Sequence, residues 1–132
     1  MLDIKFIREN KDIVQAGAKK KHIDIDIEKL IAVDDERLKI LKEVEDLRSE
    51  VNTASNNISR DQDPALKAQL IKEMTLVKED IKSKEEKLKQ TTEEWQALML
   101  QVPNVPDMTV PEGKSDEENQ EVKVWGEKPS FD

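Results

Sequence analysis

Five basic or short polar side chains on two predicted helices have the chemistry to hold a sugar-phosphate backbone. They are Arg48, Asn52, Ser55, Lys78 and Lys82. Lys78 and Lys82 are four residues apart, so a helix projects both from one side. Arg48, Asn52 and Ser55 have a similar spacing. If the two sides adjoin, cations for phosphates stand beside short hydrogen-bonding groups, a mixture that binds backbone without reading bases. A solvated helix face with ordinary i,i+4 ion pairs is the alternative that this spacing leaves open.

The rest of the sequence offers one further basic cluster and none of the common enzyme or metal-binding motifs. Lys19, Lys20 and Lys21 either interact with the negative end of a preceding helix or form a small phosphate-contacting cluster. The sequence has no G-x-x-x-x-G-K-[ST] loop, G-x-G-x-x-G, H-E-x-x-H or calcium loop. It has no cysteine, and its single histidine, His22, has no second histidine with which to share a metal. We therefore predict no catalytic, cofactor-binding or metal-binding residues in these 132 residues.

The composition favours a narrow helical structure over a wide globular core. Charged residues make up 39% of the 132 residues and aromatic residues 3%. A coiled coil needs little apolar material, and this composition suits it. The formal net charge of -8 argues against indiscriminate nucleic-acid binding. No stretch is apolar enough to span a membrane, and no signal peptide opens the sequence, so we expect a cytoplasmic protein with no membrane partner.

Two heptad patterns predict a long helical hairpin. In the second pattern, Met74, Ile81, Leu88, Trp95 and Val102 alternate with Val77, Lys84, Thr91 and Leu98. In the first pattern, Ile40, Leu47 and Ala54 alternate with Val44, Val51 and Ile58. A period of 3.5 is typical of a coiled coil, and the polar Lys84 and Thr91 are of the kind that fixes its register. The polar break at residues 59–64, which ends in Pro64, turns the chain back on itself. At about 1.5 Å per residue, each arm reaches roughly 50 Å.

The predicted fold class is all-α: a long antiparallel two-helix coiled coil on a small helical base, followed by an extended C-terminal linker. Short helices occupy residues 3–21, with Asp3 as the cap of the first and Asn10 as the cap of the second. Asp26 caps the first long helix, at about 27–59, and the second occupies about 65–101. We therefore predict a helical arm domain over 1–101 and a linker over 102–132. Residues 121–126 alternate like a strand that lacks a sheet partner, as at the start of a further domain.

Three segments, in order, resemble the N-terminal region of seryl-tRNA synthetases. The first is the opening, Met1-Leu2-Asp3-Ile4-Lys5-Phe6-Ile7-Arg8-Glu9-Asn10. The second begins with Asp35-Glu36-Arg37 and continues from Leu41 to Asn52. The third contains Val102-Pro103-Asn104-Val105-Pro106, then Val110-Pro111 with Gly113, then Asn119 and Trp125-Gly126. The resemblance covers essentially the whole chain.

The resemblance implies a tRNA-binding arm that grips the long variable arm of serine tRNA. Under it, Arg48, Asn52, Ser55, Lys78 and Lys82 become candidate tRNA-binding residues. It further implies a class II serine–tRNA ligase whose catalytic domain follows residue 132 and uses ATP and magnesium. The family implies a homodimer for the whole protein, whereas the present chain is compatible with a monomer.

The principal alternative is a coiled-coil scaffold or chaperone-type hairpin that binds protein partners. A dimerisation module built on an intermolecular coiled coil is a third reading, but the break at residues 59–64 favours closure within one chain. The linker and the unpaired strand pattern favour the RNA-binding reading, because a free-standing scaffold has no use for a strand that awaits a sheet.

Overall fold

The computed structural model describes residues 1–60, 63–127 and 129–130 and contains four α-helices within them. They are α1 (Ile4–Glu9), α2 (Lys11–Lys20), α3 (Ile27–Arg60) and α4 (Pro64–Gln101). A 3₁₀ turn at Asp116–Glu118 is the remaining regular element of the described part. The chain divides into two compact units, one of Met1–Ile25 with Val102–Asp132 and the other of Asp26–Gln101. The predicted all-α class with a long hairpin is confirmed.

Side-chain caps set the starts of the two long helices. The Asp26 carboxylate accepts a hydrogen bond from the Lys29 backbone N–H at 3.1 Å, as predicted. The Asp63 carboxylate accepts one from the Ala65 backbone N–H at 3.0 Å. Pro64 is the first helical residue, where its missing N–H costs nothing. The long helices therefore end and begin one residue from the predicted 59 and 65. The turn residues Asp61 and Gln62 lie outside the described residues.

The predicted heptad positions form the seam, the line along which α3 and α4 pack. In α3, Ile40 and Val44 are 4% and 2% exposed. In α4 the seam side chains are half-buried, apart from Thr91, which is buried and donates its hydroxyl to the Lys87 carbonyl at 2.9 Å. Glu79, outside the seam, is exposed. The heptad assignment is confirmed on both helices.

Ion pairs that join α3 and α4 show that the two helices run antiparallel. Lys29 pairs with Glu94 at 3.4 Å, and Glu36 pairs with Lys87 at 2.9 Å. Further along, the Lys84 ammonium donates to Glu43 at 2.9 Å. Across these three pairs the residue number rises along α3 while the partner's number falls along α4. The seam lysine thus keeps its charge paired at the edge of an apolar interface.

In the first unit, α1 begins as predicted, and Asn10 occupies the predicted N-cap position of α2 without a side-chain cap bond. Asp3 accepts from the Lys5 backbone N–H at 3.3 Å. Asn10 precedes α2, but its side chain makes no cap hydrogen bond to that helix. The Asn10 amide instead donates to the Phe6 carbonyl at 3.0 Å. The Asn10 side chain therefore serves the end of α1, where carbonyl groups need donors, while its backbone carbonyl accepts from the Val14 N–H in α2.

The end of α2 is a Schellman motif with histidine in the left-handed position. His22 has a φ of 55°, and its backbone N–H donates to the Lys19 carbonyl at 3.0 Å. The Ile23 N–H donates to the Ala18 carbonyl at 2.9 Å. These two bonds satisfy helix carbonyls that would otherwise lack partners. The exposed His22 thus terminates a helix.

Within the same unit, the segment after Gln101 contacts α2 and contains no strand in its described part. The Lys20 ammonium lies 3.5 Å from the Met108 carbonyl oxygen. A Cβ added to Gly17 would lie 3.2 Å from Pro106, a close approach that favours glycine. Residues 121–126, whose alternation suggested a strand without a sheet partner, form no strand here. A strand needs a neighbour to share its hydrogen bonds, and the described residues supply none. Trp125 is 92% exposed.

Candidate nucleic-acid interface

One side of the hairpin is identified by two contacts that cross between its helices. The Arg48 guanidinium donates to the Glu85 carboxylate. The Ser55 hydroxyl lies 3.2 Å from the Met74 sulfur. Arg48 and Ser55 are seven residues apart, so both lie on the same side of α3. That side adjoins α4 along the stretch from Met74 to Glu85.

Lys78 and Lys82 lie on the matching side of α4. Lys78 precedes Glu85 by seven residues and Lys82 precedes it by three, so all three side chains share one helix face. The five residues predicted as candidates therefore lie along one side of the hairpin, and we call them the basic flank. Asn52, between Arg48 and Ser55, is exposed as well.

The charges of the basic flank are not equally available. Lys78 and Lys82 are exposed, and neither forms an ion pair within the described residues. Arg48 has a side chain that is 60% exposed, but Glu85 already accepts its hydrogen bond. Two free ammonium groups and one partly neutralised guanidinium thus stand beside an exposed amide and an exposed hydroxyl. The arrangement suits contacts with phosphate and ribose oxygens.

The other side of the hairpin carries the opposite charge. Glu43 is five residues from Arg48, which places it about 140° around α3. On α3, Glu36, Glu43 and Glu50 are seven residues apart and so lie on this side. On α4, the matching residues are Glu73, Asp80 and Lys87, also seven apart. We call these six residues the acidic flank. Lys84 and Lys87 pair with two of these acids. The remaining carboxylates leave this side negative and unfavourable for phosphate.

In the Glu43–Lys84 pair, each side chain shifts the pKa of the other. The hydrogen bond and charge of Lys84 lower the pKa of Glu43 below its ordinary value. The hydrogen bond and charge of Glu43 raise the pKa of Lys84, with a smaller contribution from Asp80. Both shifts favour the charged forms, so the pair stays ionised at neutral pH.

Sequence reasoning missed two polar clusters because each joins residues distant in the chain or hidden in a seam. One is the Arg48–Glu85 pair, which depends on the exact register of the two helices. The other centres on buried Asp34, which accepts from Arg37 at 2.8 Å. The Arg37 guanidinium lies 4.4 Å from the centroid of the Trp95 ring, a cation–π contact. The only available signal was the placement of Arg37 one heptad before Val44.

Within the described part of the chain, histidine, aspartate and glutamate side chains nowhere gather in a group of three able to hold a metal ion. Among the described helices, none has the length and hydropathy needed to cross a membrane.

Comparisons with known proteins converge on one family. The family model described as the seryl-tRNA synthetase N-terminal domain matches residues 1–106. A serine–tRNA ligase of Desulfitobacterium hafniense is 37% identical over the whole of this chain and 32% of its own length. The serine–tRNA ligase of Geotalea uraniireducens is 39% identical, over the whole of this chain and 31% of its own. The chain thus spans about a third of the length of the curated relatives it matches.

A solved structure agrees with these relatives. The crystal structure of seryl-tRNA synthetase from Pyrococcus horikoshii, complexed with ATP, matches with a TM-score of 0.73 and 26% identity. The match covers 96% of this chain and 29% of that chain. Since the family model covers 106 of the 132 residues, the chain belongs to the seryl-tRNA synthetase N-terminal domain family.

Proposed function

We propose that this chain is the tRNA-binding arm of a seryl-tRNA synthetase and grips the long variable arm of serine tRNA. Family membership supports the class of ligand. The observation that carries the choice of surface is the basic flank, where Lys78 and Lys82 are exposed and free of ion pairs within the described residues. A rigid hairpin that presents cations and short polar groups recognises RNA by shape and backbone more than by base sequence.

This proposal assigns a role to each part of the full-length protein. Residues 1–101 form the tRNA-binding domain, and residues 102–132 form the linker into a class II catalytic domain. In this proposal that catalytic domain attaches serine to its tRNA and holds ATP and magnesium, and the related Pyrococcus horikoshii synthetase solved with ATP supports its use of ATP. The full-length ligase is a cytoplasmic homodimer in this proposal, and the tRNA is its nucleic-acid partner.

A salt series of binding constants tests the proposed surface. Each lost phosphate contact lowers the slope of log K against log salt by roughly 0.7–0.9. We expect the Lys78→Ala, Lys82→Ala double variant to bind serine tRNA more weakly and with a slope lower by about 1.5. The matched control is Lys42→Ala with Lys72→Ala, two exposed lysines that point away from both flanks. This control should change the slope by much less, because neither lysine lies on the basic flank.

Two outcomes would count against the proposal at different levels. Equal affinity of the unmodified chain for serine tRNA and for a tRNA with a short variable arm would overturn recognition of the variable arm. A normal slope for the Lys78/Lys82 variant beside a reduced slope for the Lys42/Lys72 variant would leave tRNA binding in place but move the contact elsewhere. Circular dichroism of both variants establishes that the hairpin is folded in each.

A further inference from the structure

On the acidic flank, an apolar groove opens near the turn of the hairpin. It is lined by Glu50, Val51, Ala54, Leu70, Glu73, Met74 and Val77. The groove exists because the small Ala54 and the β-branched Val51 occupy the seam at this level. Larger seam residues would fill the space between the helices. The groove therefore exposes the apolar seam itself to solvent.

Two exposed leucines extend this apolar surface along α4. Leu66 is 44% exposed and Leu76 is 66% exposed. Leu66 precedes Glu73 by seven residues and Leu76 follows it by three, so all three lie on one face of the helix. Exposed leucines scattered over a surface need no explanation, but these two border an open groove. Together they make an apolar strip longer than the groove alone.

The charge at the rim of the groove lacks a counterpart. From the Lys29–Glu94 pair to the Glu36–Lys87 pair, the α3 residue is seven positions later and the α4 residue seven positions earlier. Two further steps of the same size bring Glu50 level with Glu73. Neither carboxylate forms an ion pair within the described residues, although Glu73 accepts a hydrogen bond from the Gln69 amide at 3.2 Å. Both carboxylates line the groove, so two like charges lie beside its apolar walls.

We propose that this groove binds a basic amphipathic helix of a protein partner. The apolar face of such a helix enters the groove and covers Val51, Val77 and Leu76, as in other helix-in-groove complexes. Its lysines or arginines lie beside the apolar face and reach Glu50 and Glu73. Nucleic acid does not fit this position, because the rim repels phosphate. The surface is on the opposite flank from the proposed tRNA contacts, so the proposal is independent of them.

Binding of a model peptide to the 132-residue chain tests this proposal. The probe is a fluorescent peptide of about 18 residues, roughly five helical turns, with leucine on one face and lysine elsewhere. One control peptide has the same composition in scrambled order, and another has glutamate in place of lysine. The proposal expects the amphipathic basic peptide to bind better than either control, and its binding to shift the methyl resonances of Val51, Ala54 and Val77.

Matched charge variants separate the groove from the general acidity of the chain. Glu50→Gln with Glu73→Gln should weaken peptide binding about five-fold. Each exposed ion pair at the rim contributes a few-fold to affinity, and the variant removes two. Glu79→Gln with Glu86→Gln removes the same charge from exposed positions on the outer face of α4 and should change binding less than about two-fold. Leu76→Ala should also weaken binding, through lost apolar contact.

Three results would overturn the proposal. One is equal binding of the scrambled peptide, and another is equal weakening by the Glu79/Glu86 variant, because either makes the attraction a matter of net charge. The third is sedimentation velocity in which the chain dimerises and Leu76→Ala abolishes the dimer. In that case the groove is covered by a second copy of the chain.

Discussion

The two halves of the hairpin differ in how deeply their seam is buried. In the half that contains the start of α3 and the end of α4, the seam residues Ile40, Val44 and Thr91 are buried. The other seam residues of α4 in this half are half-buried. In the half next to the turn, Ile58 is the buried residue among those described, and its seam neighbours are half-buried. The same heptad repeat therefore buries more of its seam residues in the first half than in the half next to the turn.

The contrast separates stability from recognition along one element. Bulky seam residues remove apolar area from water and hold the helices in register. Toward the turn, small seam residues and exposed flanks leave side chains such as Asn52, Lys78 and Glu50 open to solvent. Both surfaces proposed to bind partners include residues of this half. A recognition surface has to remain accessible, so deep burial there would be counterproductive.

The largest effect that tests this contrast comes from cavities in the seam. Ile40→Ala should lower the free energy of unfolding by about 2–5 kcal/mol, because the side chain is 4% exposed. Ile81→Ala should cost about 1–3 kcal/mol, since Ile81 is half-buried and less area is lost. Chemical denaturation of both variants provides the comparison.

An exposed position supplies the baseline for these measurements. Glu79→Gln should change the free energy of unfolding by under about 0.5 kcal/mol, because Glu79 points to solvent. If Ile81→Ala costs no more than Glu79→Gln, the seam of α4 is not a packed interface. If Ile81→Ala costs as much as Ile40→Ala, the two ends of the seam are equally well packed.

The hairpin was predictable from sequence because a heptad repeat is local information. Val44, Val51 and Ile58 mark one helix face without reference to any partner, and Pro64 marks where the second helix begins. Asp3 and Asp26 were likewise recognisable caps, since a cap acts within one turn.

What sequence could not predict depends on competition between groups or on register. Asn10 stands between two helices, and only the geometry decides that its amide serves the first. The pairing of Arg48 with Glu85 requires knowing which turn of α4 meets which turn of α3. The alternation at residues 121–126 gives no strand here, because alternation specifies a strand only where a neighbouring strand is present.

Adding volume to the seam should have opposite effects in the two halves. Ala54→Leu places apolar atoms in the groove and should raise the free energy of unfolding by about 0.5–1 kcal/mol. Val44→Leu adds one methylene where the side chain is 2% exposed and should lower it by about 1–3 kcal/mol. Thermal and chemical denaturation of the two variants measure the sign of each change in the free energy of unfolding. Stabilisation by both substitutions would mean that the interface at Val44 also has unfilled space.

The smallest expected effect concerns the Glu43–Lys84 pair, which stands between the two halves. Glu43→Gln should lower the melting temperature at neutral pH, because it removes the partner of the seam lysine. The lowered pKa of Glu43 makes the contribution of the pair present above the ordinary glutamate value of 4.5 and lost as the pH falls below it. The raised pKa of Lys84 makes the contribution present below 10.5 and lost as the pH rises through the raised value.

The difference in melting temperature between the unmodified chain and Glu43→Gln should therefore form a plateau at intermediate pH that closes at both ends. Glu45→Gln is the matched control, since Glu45 is exposed on the same helix and forms no ion pair within the described residues. Its difference should be small, without such a plateau. High salt should reduce the Glu43 plateau only in part, because the direct hydrogen bond persists when long-range attraction is screened. A plateau that vanished in salt would reduce the pair to a surface charge effect, and the two halves of the hairpin would then be joined by apolar packing alone.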